Sequence, residues 1–474
     1  MAGRPLPREQ RLRRPQRRAA LGGAGTPPPA AVAGRRRAAG GDRGGGPPVS
    51  GGELLARRRR LLGPAYRHFY EDPVEIVRGE GVHLFDAAGN EYLDAYNNVP
   101  CVGHAHPRVV AAIADQAGRL NTHTRYLAAP ILDYAERLLA TLGGGLGHLM
   151  FTCSGSEATD LALRIARFQS GRRGVVVTAN AYHGLTTAAS EVSPSLGPAV
   201  APGEAVRTIA APAPGAADPE REGERMAAEL AVAVAELEAA GHGFAAFLAD
   251  SIFSSDGVVP DPAGFLRPLA AAVAAHGGLY VADEVQAGFA RTGEAMWGFQ
   301  RHGIEPDLVT MGKPMGNGMP IAAVAARAEL VEEFGRTIRY FNTFGGNSVS
   351  IVAATAVLDV IEDEGLLANA AATGAQLLAA LTELEGRHPL LRHARGAGLF
   401  TGVDVAAAGK PTAGADSAAL ADAIVNGLRR HRVLIAATGP RGDVLKIRPP
   451  LPFAAADVDR LAGALDDVLA ALPA

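Results

Sequence analysis

The sequence predicts an α/β protein: a large domain on a mostly parallel sheet covered by helices on both faces, and a smaller α+β domain at the C-terminal end. Three observations carry this. The 474 residues suit two or three domains at roughly 150 residues each. From residue 107 onward, short apolar runs alternate with stretches of helical period, the pattern of parallel strands joined through helices. After residue 366 that alternation gives way to long helices flanking isolated short strands.

Taken in order, residues 1–50 are rich in Arg, Pro, Gly and Ala. Such a segment cannot bury enough apolar surface to order itself. It is expected to be either a disordered tail or the product of a start site placed too far upstream. Residues 51–106 follow as an N-terminal segment. Strand-like runs within 73–98 cannot join the main alternation, so they are expected to pack with the small domain. In the large domain, residues 107–365, strands are expected at 174–178, 245–249, 279–282, 308–311 and 321–325. Helices such as 157–169, 224–240 and 264–275 lie between them. In the small domain, residues 366–474, helices over 367–384 and 417–430 flank strands at 398–403 and 445–447. Helical and strand periods separate these segments.

Composition excludes several functions. Hydrophobic content of 48% and charge of 20% are those of a globular chain. Residues 1–60 carry 15 Arg and 3 acids, whereas the remainder carries 31 basic and 46 acidic residues. An acidic body with a basic tail is not a nucleic-acid-binding domain. A helix-turn-helix regulator would need helices that the Pro- and Gly-rich tail cannot supply. No run of about 18 apolar residues marks a membrane span. Cys101 and Cys153 have no paired metal spacing and make no disulfide framework, which fits a reducing, cytoplasmic setting. His104 and His106, even with Cys101 three residues before the first, do not make up a metal-ligand set with paired spacing, so no metal is expected. Ser154, Ser156 and His183 lack the nucleophile elbow of a hydrolase.

Lysine is scarce: only Lys313, Lys410 and Lys446 occur. Lys410 lies in a Gly- and Pro-containing surface loop, and Lys446 on a short strand before Pro449-Pro450. Lys313 directly follows the apolar run Leu308-Val309-Thr310-Met311. Ligands bind at the carboxyl ends of strands in an open α/β sheet, so Lys313 is the lysine placed for function. Thirty residues earlier the apolar run Leu279-Tyr280-Val281-Ala282 meets Asp283, a spacing that suits one strand–helix–strand step. Ser154-Gly155-Ser156 opens a helical period and would leave backbone N–H groups open to an anion. Tyr182 follows the strand over 174–178, where a ring can stack on a flat heteroaromatic. Singly, each has a plain structural explanation: a surface lysine, a helix cap, an N-cap, a loop aromatic. Together they are the parts of a pyridoxal-phosphate site, in which a buried carboxylate keeps the pyridine nitrogen protonated.

With these residues the sequence from about Leu54 to the C-terminus resembles the class III aminotransferase family, of ornithine and ω-amino-acid type. The stretches that carry the resemblance are Ser154-Gly155-Ser156-Glu157-Ala158, Tyr182-His183-Gly184, Ala282 through Gly293, Gly312-Lys313, Asn342 through Asn347 and Arg395-Gly396-Ala397-Gly398. The resemblance implies a type I pyridoxal-phosphate transferase fold and a homodimer with active sites at the interface. It implies Lys313 as the Schiff-base lysine and proton shuttle, and Asp283 as partner of the pyridine nitrogen. Val285 and Tyr182 would cover the two ring faces, and Gln286 would reach the ring hydroxyl. Gly155 and Ser156 would hold the phosphate, joined by Thr343 of the partner subunit.

Three departures from the family pattern bear on the substrate. Glutamate-using members carry an Arg where this chain has Lys446, and lysine lacks the planar fork that grips a carboxylate. The Glu that switches that Arg is replaced by Ser255. The stretches around Asn98 and Arg125 resemble a branch that includes phospho-lyases, so Arg125, Asn98 and Lys446 are the substrate candidates. The first activity implied is transfer of an amino group from an amino acid or amine to an oxo acid or aldehyde, with Lys313 moving the proton. The second is a phospho-lyase that releases ammonia and phosphate from a phosphorylated amine. The implied partners are small-molecule amines and oxo acids, with neither nucleic acid nor membrane.

Overall fold

The computed structural model describes residues 51–406 and 415–472. The tail expected over 1–50 and the loop expected at Lys410 lie outside the described residues. Residues 51–65 belong to a separate unit, in which Gly51–Leu62 is a helix with Glu53 in its first turn and Arg59 and Arg60 in its last. Such charge placement suits the helix dipole.

From Tyr66 onward the chain is one unit. Its centre is a seven-stranded sheet in the order Leu146–Thr152, Ala322–Arg327, Leu308–Met311, Leu279–Asp283, Phe244–Asp250, Gly174–Thr178, Val206–Ile209. The last five are mutually parallel. Ala322–Arg327 runs antiparallel to both of its neighbours. The reason is chain length: only residues 312–321 separate it from Met311, fewer than a crossover helix needs. The expected strand at 321–325 is therefore present, but doubles back.

Alternate residues along the strands enter two different cores, as the period of two requires. Val175, Val177, Leu248 and Val281 meet Leu161 and Ile165 of the helix Gly155–Ser170. Val176, Phe247 and Tyr280 face the other way, towards the helices Pro219–Ala239 and Leu266–Ala275. Both faces are thus covered, and each fully buried Val, Leu or Phe contributes about 1.5–3 kcal/mol.

The connection from Asp283 to Lys313 is not the expected strand–helix–strand step. It is mostly turns with a four-residue helix, Gly298–Arg301. Phe289 and Ala290 take positive φ of 61° and 63°, which an α-helix does not allow.

A smaller antiparallel sheet follows, in the order Leu391–Ala397, Phe400–Val405, Val444–Ile447, Ala436–Thr438. Helices Leu366–Arg387, Ala415–Arg430 and Ala455–Ala471 accompany it. A third sheet joins Ile76–Glu80, His83–Asp86 and Glu91–Asp94 to Val433–Leu434, with Leu93 opposite Val433 and Asp94 opposite Leu434. Among the described residues no helix is long and apolar enough to cross a membrane.

Candidate active site

The parallel strands end on one edge of the large sheet, and the chemistry-bearing residues follow those ends. Asp250 and Asp283 close neighbouring strands and lie opposite one another in register. Lys313 comes two residues after Met311, Tyr182 four after Thr178, and Gly155 three after Thr152. A cavity of about 300 Å3 opens there, and Gly155, Ser156, Tyr182, Asp283, Val285, Gln286 and Lys313 all line it.

The helix Gly155–Ser170 begins at this cavity. Ser154 is its N-cap, with Oγ accepting from Glu157 N–H at 3.3 Å. Glu157 in turn accepts from Cys153 N–H at 2.8 Å, so the first turn is fixed, and Ser154, Gly155 and Ser156 line the cavity. Gly155 leaves room that a side chain would fill, since a Cβ there would stand 3.0 Å from both Val285 methyls. At Gly184 a Cβ would meet Ser156 Oγ at 2.6 Å. That Oγ accepts from Leu185 N–H at 3.0 Å.

Asp283 is buried. Its Oδ1 accepts from Val285 N–H at 3.1 Å and its Oδ2 lies 2.6 Å from His183 Nδ1. Glu284, the next residue, points elsewhere. It accepts from Ser251 Oγ at 2.5 Å, Gly298 N–H at 2.7 Å and Phe299 N–H at 2.8 Å, and burial raises its carboxyl to about 7. Burial, with the nearby Arg448 cation, lowers the Lys313 amine to about 8, against a partial opposing pull from Asp283 and Asp250. A lysine so shifted supplies the neutral amine that attacks a carbonyl.

Gln286 does not point freely into the cavity. Its Nε2 donates to Ser254 Oγ at 2.5 Å and its Oε1 accepts from Arg448. Lys446 is buried, with Nζ 3.5 Å from Ser254 O and 5.4 Å from the Phe400 ring centre. Burial and the neighbouring Arg448 and Lys313 push its amine well down. Asn98 is also buried, and both its amide atoms lack a hydrogen-bond partner; its neighbour Val99 lines the cavity. Arg125 and Thr343 are exposed and do not line this chain's own cavity. The Arg125 guanidinium stacks 3.8 Å over Phe341. Ser255 accepts at its carbonyl from Asn180 Nδ2 at 2.6 Å.

His104 pairs with Asp94 at 2.7 Å and His106 with Glu364 at 3.0 Å, two separate carboxylates and not a shared site. Among the described residues no group of three His, Cys, Asp or Glu side chains could hold a metal. Arg448 and Asp250 escaped the sequence reading, as did the His183–Asp283 contact. His183 was visible inside its motif, but nothing in spacing shows that it meets a residue 100 positions on.

The residues fit pyridoxal phosphate: a helix start for an anion, a side-chain-free cradle at Gly155, a desolvated lysine and a buried carboxylate around one cavity. Comparison with known proteins agrees. A family model described as aminotransferase class-III matches residues 66–469. A phospholyase from Arthrobacter, solved in complex with phosphoethanolamine, is 45% identical with a TM-score of 0.85, over 89% of this chain and 100% of that one. Ethanolamine-phosphate phospho-lyase homolog 1 of Caenorhabditis elegans is 38% identical over 433 residues, covering 86% of this chain and 91% of that protein. The alanine–glyoxylate aminotransferase 2-like protein of Drosophila melanogaster is 39% identical over 407 residues, covering 83% and 82%. By motif, fold and relatives alike, the chain belongs to the class III aminotransferase family, enzymes on the type I pyridoxal-phosphate fold that use this cofactor.

Proposed function

We propose that this enzyme eliminates phosphate from a phosphorylated amino alcohol or a similar phosphorylated amine. The observation that carries the reading is a pair of buried basic side chains behind the cavity wall. Lys446 and Arg448 are both buried, and among the described residues neither has a carboxylate in ion-pair range. Arg448 reaches the wall through Gln286 and lies 4.6 Å over the Tyr96 ring. Burial disfavours the Lys446 cation, with Asp250 only partly opposing, and a substrate phosphate beside it would favour the charged form and take charge-assisted hydrogen bonds from it. Lys446 and Ser255 also stand where a carboxylate-gripping Arg and its Glu switch would be, so a second, dicarboxylic substrate has no matching clamp. The similarity to two phospho-lyases points the same way.

In this reading Gly155 and Ser156 hold the cofactor phosphate, and Thr343 of the partner subunit completes that grip. Tyr182 and Val285 flank the ring, Asp283 holds its nitrogen, and Gln286, set by Ser254 and Arg448, stands near its hydroxyl. Bound there, pyridoxal phosphate supplies an electron sink for the pair left when a proton departs the amine-bearing carbon. Lys313 is the covalent attachment point, and once freed its neutral amine takes that proton. The C–O bond on the adjacent carbon then breaks, and phosphate leaves with its electron pair; the enamine left behind is released, and water hydrolyses it to an aldehyde and ammonia. Lys446, Asn98 and Arg125 of the partner subunit receive it. The large domain, residues 107–365, carries the cofactor. The small domain, residues 366–474, contributes Lys446 and Arg448, and the segment just after the strand Glu91–Asp94 contributes Tyr96. The enzyme works as a homodimer, and its free cysteines, Cys101 and Cys153, suit the cytoplasm.

The alanine–glyoxylate aminotransferase 2-like relative favours amino transfer as the second reading. One assay separates the two. Supplied with phosphoethanolamine and no oxo acid, a phospho-lyase releases phosphate and ammonia in equal amounts over many turnovers. Amine consumption only when an oxo acid is added overturns the lyase reading.

A further inference from the structure

The turn after the strand Phe244–Asp250 carries three serines, and each goes to a different partner. Ser251 Oγ donates to Glu284 at 2.5 Å, and the Ser255 carbonyl accepts from Asn180 Nδ2 at 2.6 Å. Ser254 lies between them in the fold's interior. It is fully buried and does not line the cavity, yet it meets two residues that do. Its Oγ accepts from Gln286 Nε2 at 2.5 Å, and its N–H donates to Asp250 Oδ2 at 2.9 Å. Its carbonyl accepts from Thr438 Oγ1 at 3.1 Å. With N–H and C=O both engaged, the residue is pinned and its hydroxyl has a fixed place.

The two ends of a Gln side chain are told apart only by their partners, and here the partners decide. The Arg448 guanidinium donates and cannot accept. The Gln286 atom that takes its hydrogen bond is therefore the carbonyl Oε1, and the amide nitrogen is turned to Ser254. An amide nitrogen only donates, so Ser254 Oγ accepts and keeps its own proton to give. Asp250 takes a hydrogen bond from that hydroxyl. The result is one directed chain from Arg448 through Gln286 and Ser254 to Asp250, with a donor-only group at one end and a carboxylate at the other. The Gln286 nitrogen carries two protons. Ser254 takes one, and the other is left for the cavity that Gln286 lines.

We infer that Ser254 is a positioning residue, which together with Arg448 locks the Gln286 amide so that it offers an N–H, and not its carbonyl, to the ring oxygen of the cofactor. This rests on the reading of Gln286 as the neighbour of the ring hydroxyl. Once that oxygen is ionised, a donor held beside it forms a charge-assisted hydrogen bond, whereas a carbonyl would repel it. Arg448 fixes only the carbonyl end. Without the Ser254 hydroxyl the nitrogen loses the acceptor that holds it, and the amide is free to turn.

The test is a double-mutant cycle on the full-length enzyme, with the dissociation constant of pyridoxal phosphate read by equilibrium dialysis. The four proteins are the parent, Ser254→Ala, Gln286→Met and the double variant. Methionine keeps the length of the side chain and removes its amide. Losing an orienting hydrogen bond to a buried donor should weaken cofactor binding on the order of tenfold, so Ser254→Ala should do so in the parent. In the Gln286→Met background the same change should alter the constant by less than about twofold, because there is no amide left to hold. A merely structural serine would give the same loss in both backgrounds, and that result overturns the inference. So does an unchanged constant in Ser254→Ala beside a weakened Gln286→Met. If Gln286→Met itself binds the cofactor as the parent does, the reading of Gln286 as the ring's neighbour is at fault, and the inference falls with it.

Discussion

Lys313 shows how burial and chemistry are coupled at a single residue. Its amine titrates near 8 in the fold, lowered by burial, against an ordinary value of 10.5. Between those values the unfolded chain binds the proton and the folded one does not. Stability of the cofactor-free chain therefore rises with pH from about 8 to about 10.5, where the penalty of burying the cation is relieved. The penalty is about 3–4 kcal/mol, so Lys313→Met should raise the urea midpoint at pH 7 and reduce the rise above pH 8, to which the buried Lys446 also contributes. A parent midpoint flat across that range would show that the amine is not held in a desolvated state. Glu284 gives the opposite lesson. It neighbours Asp283 in the motif, yet it ties two buried backbone N–H groups and Ser251 together. Glu284→Ala strands those donors, and should cost about 3–5 kcal/mol in urea unfolding with cofactor affinity little changed in the variant that still folds.

At the scale of elements, several motif glycines prove to be contacts between backbones. A Cβ on Gly398, whose φ is +52°, would stand 2.5 Å from Arg291 O, and one on Gly374 would stand 2.3 Å from Gly398. Helix Leu366–Arg387, the turn at Gly398 and the Arg291-Thr292-Gly293 segment thus meet without side chains between them. Gly374→Ala should destabilise by about 1–3 kcal/mol, as overpacking does, despite the better helix propensity of alanine; a higher melting temperature would contradict this packing. The central strands Gly174–Thr178 and Leu308–Met311 were legible because every residue is buried and the apolar run is continuous. The edge strands Leu146–Thr152 and Val206–Ile209 were not, because their outward residues mix polar with apolar. The antiparallel sense of Ala322–Arg327 was written in the short loop before it, not in its composition. At the site, the strand-end rule pointed to Lys313, Asp283, Gly155 and Tyr182 only in combination, and Val285 and Gln286 only through the family resemblance; all six line one cavity. Arg448 and the His183–Asp283 contact were not legible, since both are meetings of segments far apart in the chain.

At the scale of the whole molecule, the proposed dimer gives Arg125 and Thr343 a site to serve, since neither lines the cavity of its own chain. Both are exposed, beside Tyr126, Leu127 and Phe344, which are 66%, 102% and 69% exposed. An apolar patch of this kind is rare on a monomer, and a two-fold dimer would bury it in both copies at once. If each site takes its lysine from one subunit and Arg125 from the other, two inactive variants can repair one another. Lys313→Ala and Arg125→Ala are each expected to lose activity as pure dimers. In a mixed dimer one site then carries both lesions and the other carries none. Random mixing makes half the dimers mixed, so activity should return to about a quarter of the parent's. Were Arg125 to serve the site of its own chain, each site of a mixed dimer would hold one lesion and no activity would return. Denaturing and refolding the two variants together, then assaying phosphate release against each refolded alone, distinguishes the two arrangements. The same mixture tests Thr343 by replacing Arg125→Ala with Thr343→Ala and reading cofactor retention, since a cofactor phosphate gripped across the interface is regained only in the intact site.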